Sequence, residues 1–453
     1  MAEAVRHDKT ARQLRLLSDA LDSGRLGPVR RLVNTLAPAE IGNLLESLPP
    51  AKRQVVWGLV DAEDDGEVLV HVGDEVRESL LADMDPDEIV AAVEDLDIDD
   101  LADLVEDLPD TVIDEVLKSM DRENRERLEQ VLSYQEDTAG RLMNPDVVTV
   151  RADTTVDVVL RYLRLRGELP EHTDHLYVVS RRHQYLGRIA LQVLLTHEAN
   201  TPINQLIDDE QPAIDVQEPA EEVARQFSDH DWISAPVVDD GNILLGRITI
   251  DDVVDIIRDQ AEHQALSAAG LDEDEDMFSP VPRAFRRRVV WLGVNLCTAF
   301  LAASVVGRFE GTIEQIVALA VLMPIVAGMG GNAGTQVLTL MIRGLALGQI
   351  GSSNARTLLW KEVRVAMMNG LSLGSLLGVI VWIWYRDLPL SLVIGSALTI
   401  NFCSAALGGV LVPLTVKRLG FDPALAGAVI LTTVTDVMGF LSFLGLATLI
   451  LLR

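Results

Sequence analysis

Apolar and polar positions divide this chain near residue 283. Beyond it, five long and mostly apolar runs fall at roughly 286–307, 313–342, 363–385, 388–415 and 423–451. Each is long enough to cross a hydrocarbon core of about 30 Å as a helix. The second run is interrupted by Gly, Pro and amide side chains. Before residue 283 the apolar runs are short and their period changes. Residues 84–131 break into four blocks of twelve: MDPDEIVAAVED, LDIDDLADLVED, LPDTVIDEVLKS and MDRENRERLEQV. Each opens on an apolar anchor, continues with Asp or Pro suited to a helix start, and then places apolar residues at helical spacing. This pattern predicts short stacked helices joined by tight turns. Residues 1–133 are therefore assigned to an acidic, all-α helical-repeat N domain.

Residues 138–258 carry a second, longer repeat. LYVVSRRHQYLGRI (Leu176–Ile189) matches APVVDDGNILLGRI (Ala235–Ile248), and Gly187 and Gly246 are displaced by 59 residues. Upstream, VVTVRADTTVDVVLRYL parallels AIDVQEPAEEVARQF. Each copy reads as strand, helix, strand, strand, helix. The pattern resembles a tandem pair of cystathionine β-synthase (CBS) domains, an α/β module placed here at 138–198 and 199–258. Such pairs bind adenine nucleotides or transmit strain to a neighbouring domain. Thr249 and Asp252 resemble the Thr/Ser-x-x-Asp contact to ribose, which makes ATP a candidate ligand for the second copy only. The first copy has Ala190 and Val193 there and lacks both groups. A pure coupling role and a nucleotide-binding role both stand at this point. Residues 251–270 then read as an amphipathic linking helix ending at a Gly cap. A loop leads from it to the all-α transmembrane domain of five helices, 283–453.

Charge sharpens this division. Residues 283–453 carry a net charge of +7, and residues 1–282 carry −38. So acidic a region favours cations as partners and argues against nucleic acid. Arg283, Arg286, Arg287 and Arg288 precede the first apolar run. Arg343, Arg356, Lys361 and Arg364 lie between the second and third, and Lys417 and Arg418 between the fourth and fifth. The opposite side has only Arg308, Arg386 and Arg453. This alternation predicts a multi-pass protein of the cell (inner) membrane, with its N-terminus and soluble domains cytoplasmic and its C-terminus outside. The opening MAEAVRHDKTARQ has no apolar core, so no signal peptide is expected. The two cysteines, Cys297 and Cys403, both lie in apolar runs and suggest neither a disulfide framework nor a metal site.

Candidate chemistry concentrates in two of the membrane runs. Asp436 is the only carboxylate inside the fifth. A charge at that depth costs about 2.5–3.5 kcal/mol on insertion scales. It persists where it faces protein or an aqueous path. The alternative is a carboxyl bonded to Thr432, Thr433 or Thr435. The second run carries MPIVAGMGGNAGTQ (Met323–Gln336), where Pro324 frees a backbone carbonyl and the glycines admit close approach. All of these ligands are oxygens, which suits a hard cation. Mg²⁺, which keeps several of its waters, fits a single carboxylate per chain better than a bare ion would. A two-fold dimer would bring two Asp436 side chains to one hydrated ion.

Acidic helical repeat, CBS pair, linking helix, PxxxGxGGNxGxQ and a late TDVxG together resemble the MgtE family of magnesium channels along essentially the whole chain. The resemblance implies a homodimer with the pore on its two-fold axis and the linking helix acting as a plug. Asp436 matches the family's ion-binding aspartate and Asn332 its pore segment; Gly328, Gly331, Ala428, Thr432 and Thr433 are placed along the same lining. Asp99, Asp100, Asp103, Glu221 and Asp252 match acidic positions that bind regulatory Mg²⁺ and hold the closed form. The sequence departs from the family at Gln260, Glu262, His263 and Gln264, where the plug helix is usually more acidic. It departs again at Ala428, where an Asn is usual.

The function expected from all this is entry of hydrated Mg²⁺ into the cytoplasm, with closure promoted by intracellular Mg²⁺. Its rival is a Na⁺- or H⁺-coupled secondary divalent-cation transporter. A non-transporting membrane sensor leaves Asp436 unexplained. No catalytic triad, Cys/His pair or phosphate-cradling Gly loop is visible, so an enzyme is not expected.

Overall fold

The computed structural model describes residues 26–94, 96–267, 269–271, 275–351 and 354–452, with Leu17, Ala20 and Leu21. The opening stretch 1–16, read above for a leader, and Arg453 lie outside the described residues. The chain divides into two units, Met1–Ala261 with Asp274–Ser279, and Glu262–Glu273 with Pro280–Arg453.

The first unit begins with short helices: α1 (Leu26–Val33), α2 (Pro38–Glu46), α3 (Pro50–Trp57), α4 (Asp65–Val70), α5 (Asp74–Leu81), α6 (Pro86–Val93), α7 (Ile98–Glu106), α8 (Asp110–Ser119) and α9 (Arg122–Leu132). Their starts follow local chemistry. Pro38, Pro50 and Pro86 occupy first-turn positions, where no N–H is needed. Before α9, the backbone N–H groups of Glu123 and Asn124 donate to Asp121 Oδ1 at 2.7 and 2.9 Å. The four twelve-residue blocks become α6 to α9. The helical stack also extends back through α1 to α5: α1, α2 and α3 begin twelve residues apart, at 26, 38 and 50, and α4, which begins at 65, interrupts the period.

After α10 (Ala139–Leu142) come two copies of one layout. The first is β1 (Thr149–Arg151), α11 (Val156–Arg166), β2 (His175–Val179), β3 (Tyr185–Ala190) and α12 (Leu191–Thr196). The second is β4 (Ile214–Asp215), α13 (Ala220–His230), β5 (Ser234–Val238), β6 (Leu244–Thr249) and α14 (Ile250–Ser267). In both, the first strand runs parallel to the second and the second antiparallel to the third. The repeat holds residue by residue: Val178 pairs with Gly187 and Val237 with Gly246, each pair beside a bulge. Both glycines accept a crossing backbone. A Cβ at Gly187 would stand 2.6 Å from the Asp208 carbonyl, and one at Gly246 would stand 2.8 Å from the Asn144 carbonyl.

A single apolar core joins the helical stack to the second copy, running from Leu101, Leu104 and Leu128 through Met143 to Ile214, Val223 and Phe227. The first copy has its own core around Val156, Leu176 and Ile189. The helical stack also grips the chain just ahead of the membrane unit. Arg53, buried, donates from Nη2 to Asp276 Oδ2 at 2.8 Å and from Nε to the Leu45 carbonyl at 2.9 Å. Glu75 accepts from the Asp276 N–H at 3.2 Å and from Ser279 Oγ at 2.6 Å.

The second unit holds five helices long and apolar enough to span a membrane. They are α15 (Val281–Gly307), α17 (Ala318–Ala346), α18 (Ala355–Tyr385), α19 (Leu388–Arg418) and α20 (Pro423–Leu451). At 27 to 31 residues they measure about 40–46 Å, so polar turns continue beyond the apolar stretches. The second span differs from its sequence reading. A short helix, α16 (Glu310–Gln315), precedes it, and the chain bends at Ile316 before α17. The apolar period continues through this bend and conceals it. Helices α17, α19 and α20 pack together through small residues, and Pro324 sits inside α17 without ending it.

Candidate ion path and acidic sensing face

On α20, Ala428, Thr432 and Asp436 recur every fourth residue and share one face. The threonines are engaged with their own helix. Thr432 Oγ1 donates to the Ala428 carbonyl at 2.9 Å, Thr433 Oγ1 to Val429 at 2.8 Å and Thr435 Oγ1 to Thr432 at 3.0 Å. Asp436 is half-buried and has no hydrogen-bond or ion-pair partner among the described residues. The alternative in which hydroxyls hold the carboxyl is therefore not what the structure contains.

Helix α17 packs antiparallel to α20. Gly334 lies against Leu431, and Gly427 against Leu338, with contacts of 3.1 Å to a Cβ at either glycine. This register sets Asn332 opposite Thr433, and the shared approach of Gly330 and Gly439 to Asn401 of α19 sets it opposite Val437, so Asn332 and Asp436 lie within about one helical turn of each other along the helix axes. Asn332 is exposed, and so are Gly328, Thr335, Gln336 and Thr339 on the same face. A Cβ at Gly328 or Gly331 would meet open space, whereas Gly330 and Gly334 are packing positions. The glycines of this motif therefore do two jobs. Thr335 and Thr339 were not singled out from sequence. Their spacing from Asn332, three and seven residues, was the available signal.

The acidic set of the first unit is built where α7 meets the second CBS copy. Asp97 precedes α7, and Asp99 and Asp100 lie in its first turn. Asn144 Nδ2 donates to Asp99 Oδ1 at 3.3 Å, and Arg141 reaches the Ala102 carbonyl at 2.6 Å. Asp252 lies in the first turn of α14. Burial and the nearby charges of Asp252, Asp100 and Asp97 hold the Asp99 carboxyl well above the usual carboxylate range. Burial, with Asp97, Glu67, Asp103 and Asp251, pushes Asp100 up to about 7. Burial, then Asp251 and Asp100, pushes Asp252 to about 7. The sequence reading missed Asp97 and Asp251, each beside a residue it named.

The other acidic positions behave differently. Asp103 is exposed and faces Arg141 Nε at 3.9 Å, so a cation from the CBS side already balances it. Glu221 is exposed in the first turn of α13, and the neighbouring charges that act most on Asp252 are Asp251 and Asp100 instead. Thr249 and Asp252, the candidate ribose contacts, bond to each other. Asp252 Oδ2 accepts from the Thr249 N–H at 3.2 Å and from its hydroxyl at 3.1 Å, closing the start of α14. Among the described residues no three His, Cys, Asp or Glu side chains converge closely enough to ligate one ion.

The final turns of α14, Glu262–Ser267, belong to the second unit. There His263 Nε2 lies 3.2 Å from Asp422 Oδ2. Asp422 also caps α20, accepting from the N–H groups of Ala424 and Leu425 at 2.8 and 3.0 Å.

Known proteins resemble the chain throughout. The family described as Divalent cation transporter matches residues 323–446. The MgtE intracellular N domain matches 36–137, and CBS domains match 139–198 and 203–259. The magnesium transporter MgtE of Thermus thermophilus is 32% identical over 442 residues, covering 96% of this chain and 98% of that one. That of Enterococcus faecalis is 30% identical over 439 residues, covering 96% and 97%. Among solved structures, the cytosolic domain of the Mg²⁺ channel MgtE in complex with ATP is 30% identical. It covers 53% of this chain and 98% of that chain, with a TM-score of 0.48. With relatives this similar along nearly their full length, the chain belongs to the MgtE family of magnesium transporters.

Proposed function

We propose that this protein passes hydrated Mg²⁺ into the cytoplasm along a path lined by Asp436 and the polar face of α17, and that cytoplasmic Mg²⁺ closes it by bridging the acidic face between α7 and α14. One observation carries the proposal. A carboxylate with no partner among the described residues stands within about a helical turn of an exposed Asn, on a helix face that also presents Thr335, Gln336 and Thr339. Polar groups turned toward lipid are costly, so this face is covered by water and a second subunit. A homodimer with this face on its two-fold axis supplies two carboxylates to one hydrated ion.

The soluble acids support the regulatory half. They are crowded enough to raise one another's proton affinity, yet they do not converge on a bare ion. An ion that retains waters can be reached through them. Binding to the compact form alone shifts the population toward closure. The basic loops support a cytoplasmic acidic unit and an outward C-terminus.

The test is Mg²⁺ influx into proteoliposomes, with Asp436→Asn as control and Mg²⁺ varied on the side of the soluble domains. Wild-type influx in Asp436→Asn rejects the path. Influx that follows an imposed Na⁺ or H⁺ gradient, instead of that of Mg²⁺ alone, favours the coupled transporter. Because Thr249 and Asp252 satisfy each other at the start of α14, nucleotide is not part of this proposal.

A further inference from the structure

Asn401 lies in the middle of α19 and is fully buried. Its Nδ2 donates to the Val326 carbonyl of α17 at 2.9 Å. Its Oδ1 is buried and has no hydrogen-bond partner among the described residues. Two glycines make room for the amide. A Cβ on Gly330 of α17 would overlap Nδ2 and come within 2.7 Å of Cγ, and a Cβ on Gly439 of α20 would stand 2.7 Å from Nδ2. One side chain is thus seated in notches cut into two other membrane helices.

Filling space does not account for this arrangement. An apolar side chain would fill the space without leaving an unpaired acceptor in an apolar interior, which is costly. The amide supplies a directed bond to α17 together with a flat shape that fits between two backbones. Its position gives that bond a use. Gly330 is two residues from Asn332, and Gly439 three from Asp436, or about 3 and 4.5 Å along their helices. Sliding either helix against Asn401 would move one candidate ion-path residue out of level with the other.

We propose that Asn401 is a positioning residue for ion passage, a key that holds α17 and α20 in the register at which Asn332 and Asp436 face the same ion. This rests on the reading of Asp436 as part of the path. The full-length protein is tested in proteoliposomes by Mg²⁺ influx across a range of Mg²⁺ concentrations. Gly330→Ala and Gly439→Ala each place a methyl group on the amide and are expected to lower influx about tenfold. Asn401→Ala is expected to raise the half-saturating Mg²⁺ concentration about threefold or more while the amount of folded protein stays the same, because the two coordinating levels separate. Joined to either glycine variant, Asn401→Ala removes the clash and is expected to restore influx to the level of Asn401→Ala alone.

Wild-type influx in both glycine variants, or double variants no better than the glycine variants alone, overturns the proposal. So does an Asn401→Ala protein with unaltered half-saturation. Asp436→Asn is run in parallel and reads the underlying assignment separately. If it is inactive while the glycine series fails, only the role of Asn401 falls. If it conducts normally, the path and the key fall together.

Discussion

Asp436 and Asp252 are both acids on helices, and their surroundings set them different tasks. Asp436 has no partner among the described residues and lies within about a helical turn of Asn332. Replacing it with Asn keeps the volume and removes the charge, so Mg²⁺ influx should fall at least about tenfold while the protein remains folded. Asp252 is hemmed in by other acids and titrates near 7, with Asp100 beside it. The sign of the pH effect follows. A carboxyl held above its ordinary 3.8 opposes the compact arrangement once ionised; the opposition is complete above about 7 and vanishes below the ordinary value. In Mg²⁺-free buffer, contact between α7 and the CBS pair should tighten from about pH 8 to about pH 6. Mg²⁺ needs the ionised form, so its own effect should weaken over the same interval. Protease protection of the full-length protein at several pH values, with and without Mg²⁺, reads both trends. Asp100→Asn with Asp252→Asn should weaken both, leaving the share of Asp99.

Among the helices, the two kinds of glycine in α17 make separate predictions. Gly334 lies against Leu431, so Gly334→Val should overpack the junction with α20 and cost about 1–3 kcal/mol. Lowered thermal stability in detergent checks it. Gly328 faces open space, so Gly328→Val should leave that stability unchanged and alter only influx. The sequence announced these helices through apolar run length, and the CBS strands through the 59-residue repeat. It left the two glycine classes merged, because a glycine's sequence neighbours do not reveal which helix lies across from it. Asn401 was unreadable for the same reason: its meaning depends on Gly330 and Gly439, 71 and 38 residues away. The acidic face was half legible. Asp99, Asp100 and Asp252 fell on helix starts and were named, but pairing of Asp103 with Arg141 requires the fold, and Glu221 was drawn in by resemblance alone.

For the whole molecule, the exposed polar face of α17 predicts an assembly. Asn332→Cys, in a protein whose Cys297 and Cys403 have been replaced, should be joined to its twin by a short bifunctional thiol reagent. A covalent dimer on a denaturing gel checks this, and a monomer under conditions that support influx would place the face elsewhere. The buried Arg53–Asp276 pair makes a prediction of another kind. Asp276→Ala leaves a buried guanidinium without its charge partner, which costs about 3–5 kcal/mol. Denaturant unfolding of the soluble unit should register the loss.

The same pair means that the helical stack is fastened to the membrane unit by a second rope. One connection runs through α14; the other is Glu275–Ser279, tied down by Arg53 and Glu75 immediately before the first spanning helix. Deleting the stack therefore does more than remove the acidic face of α7. It also cuts a mooring line, so a truncated protein and an intact one starved of the ion are mechanically different objects.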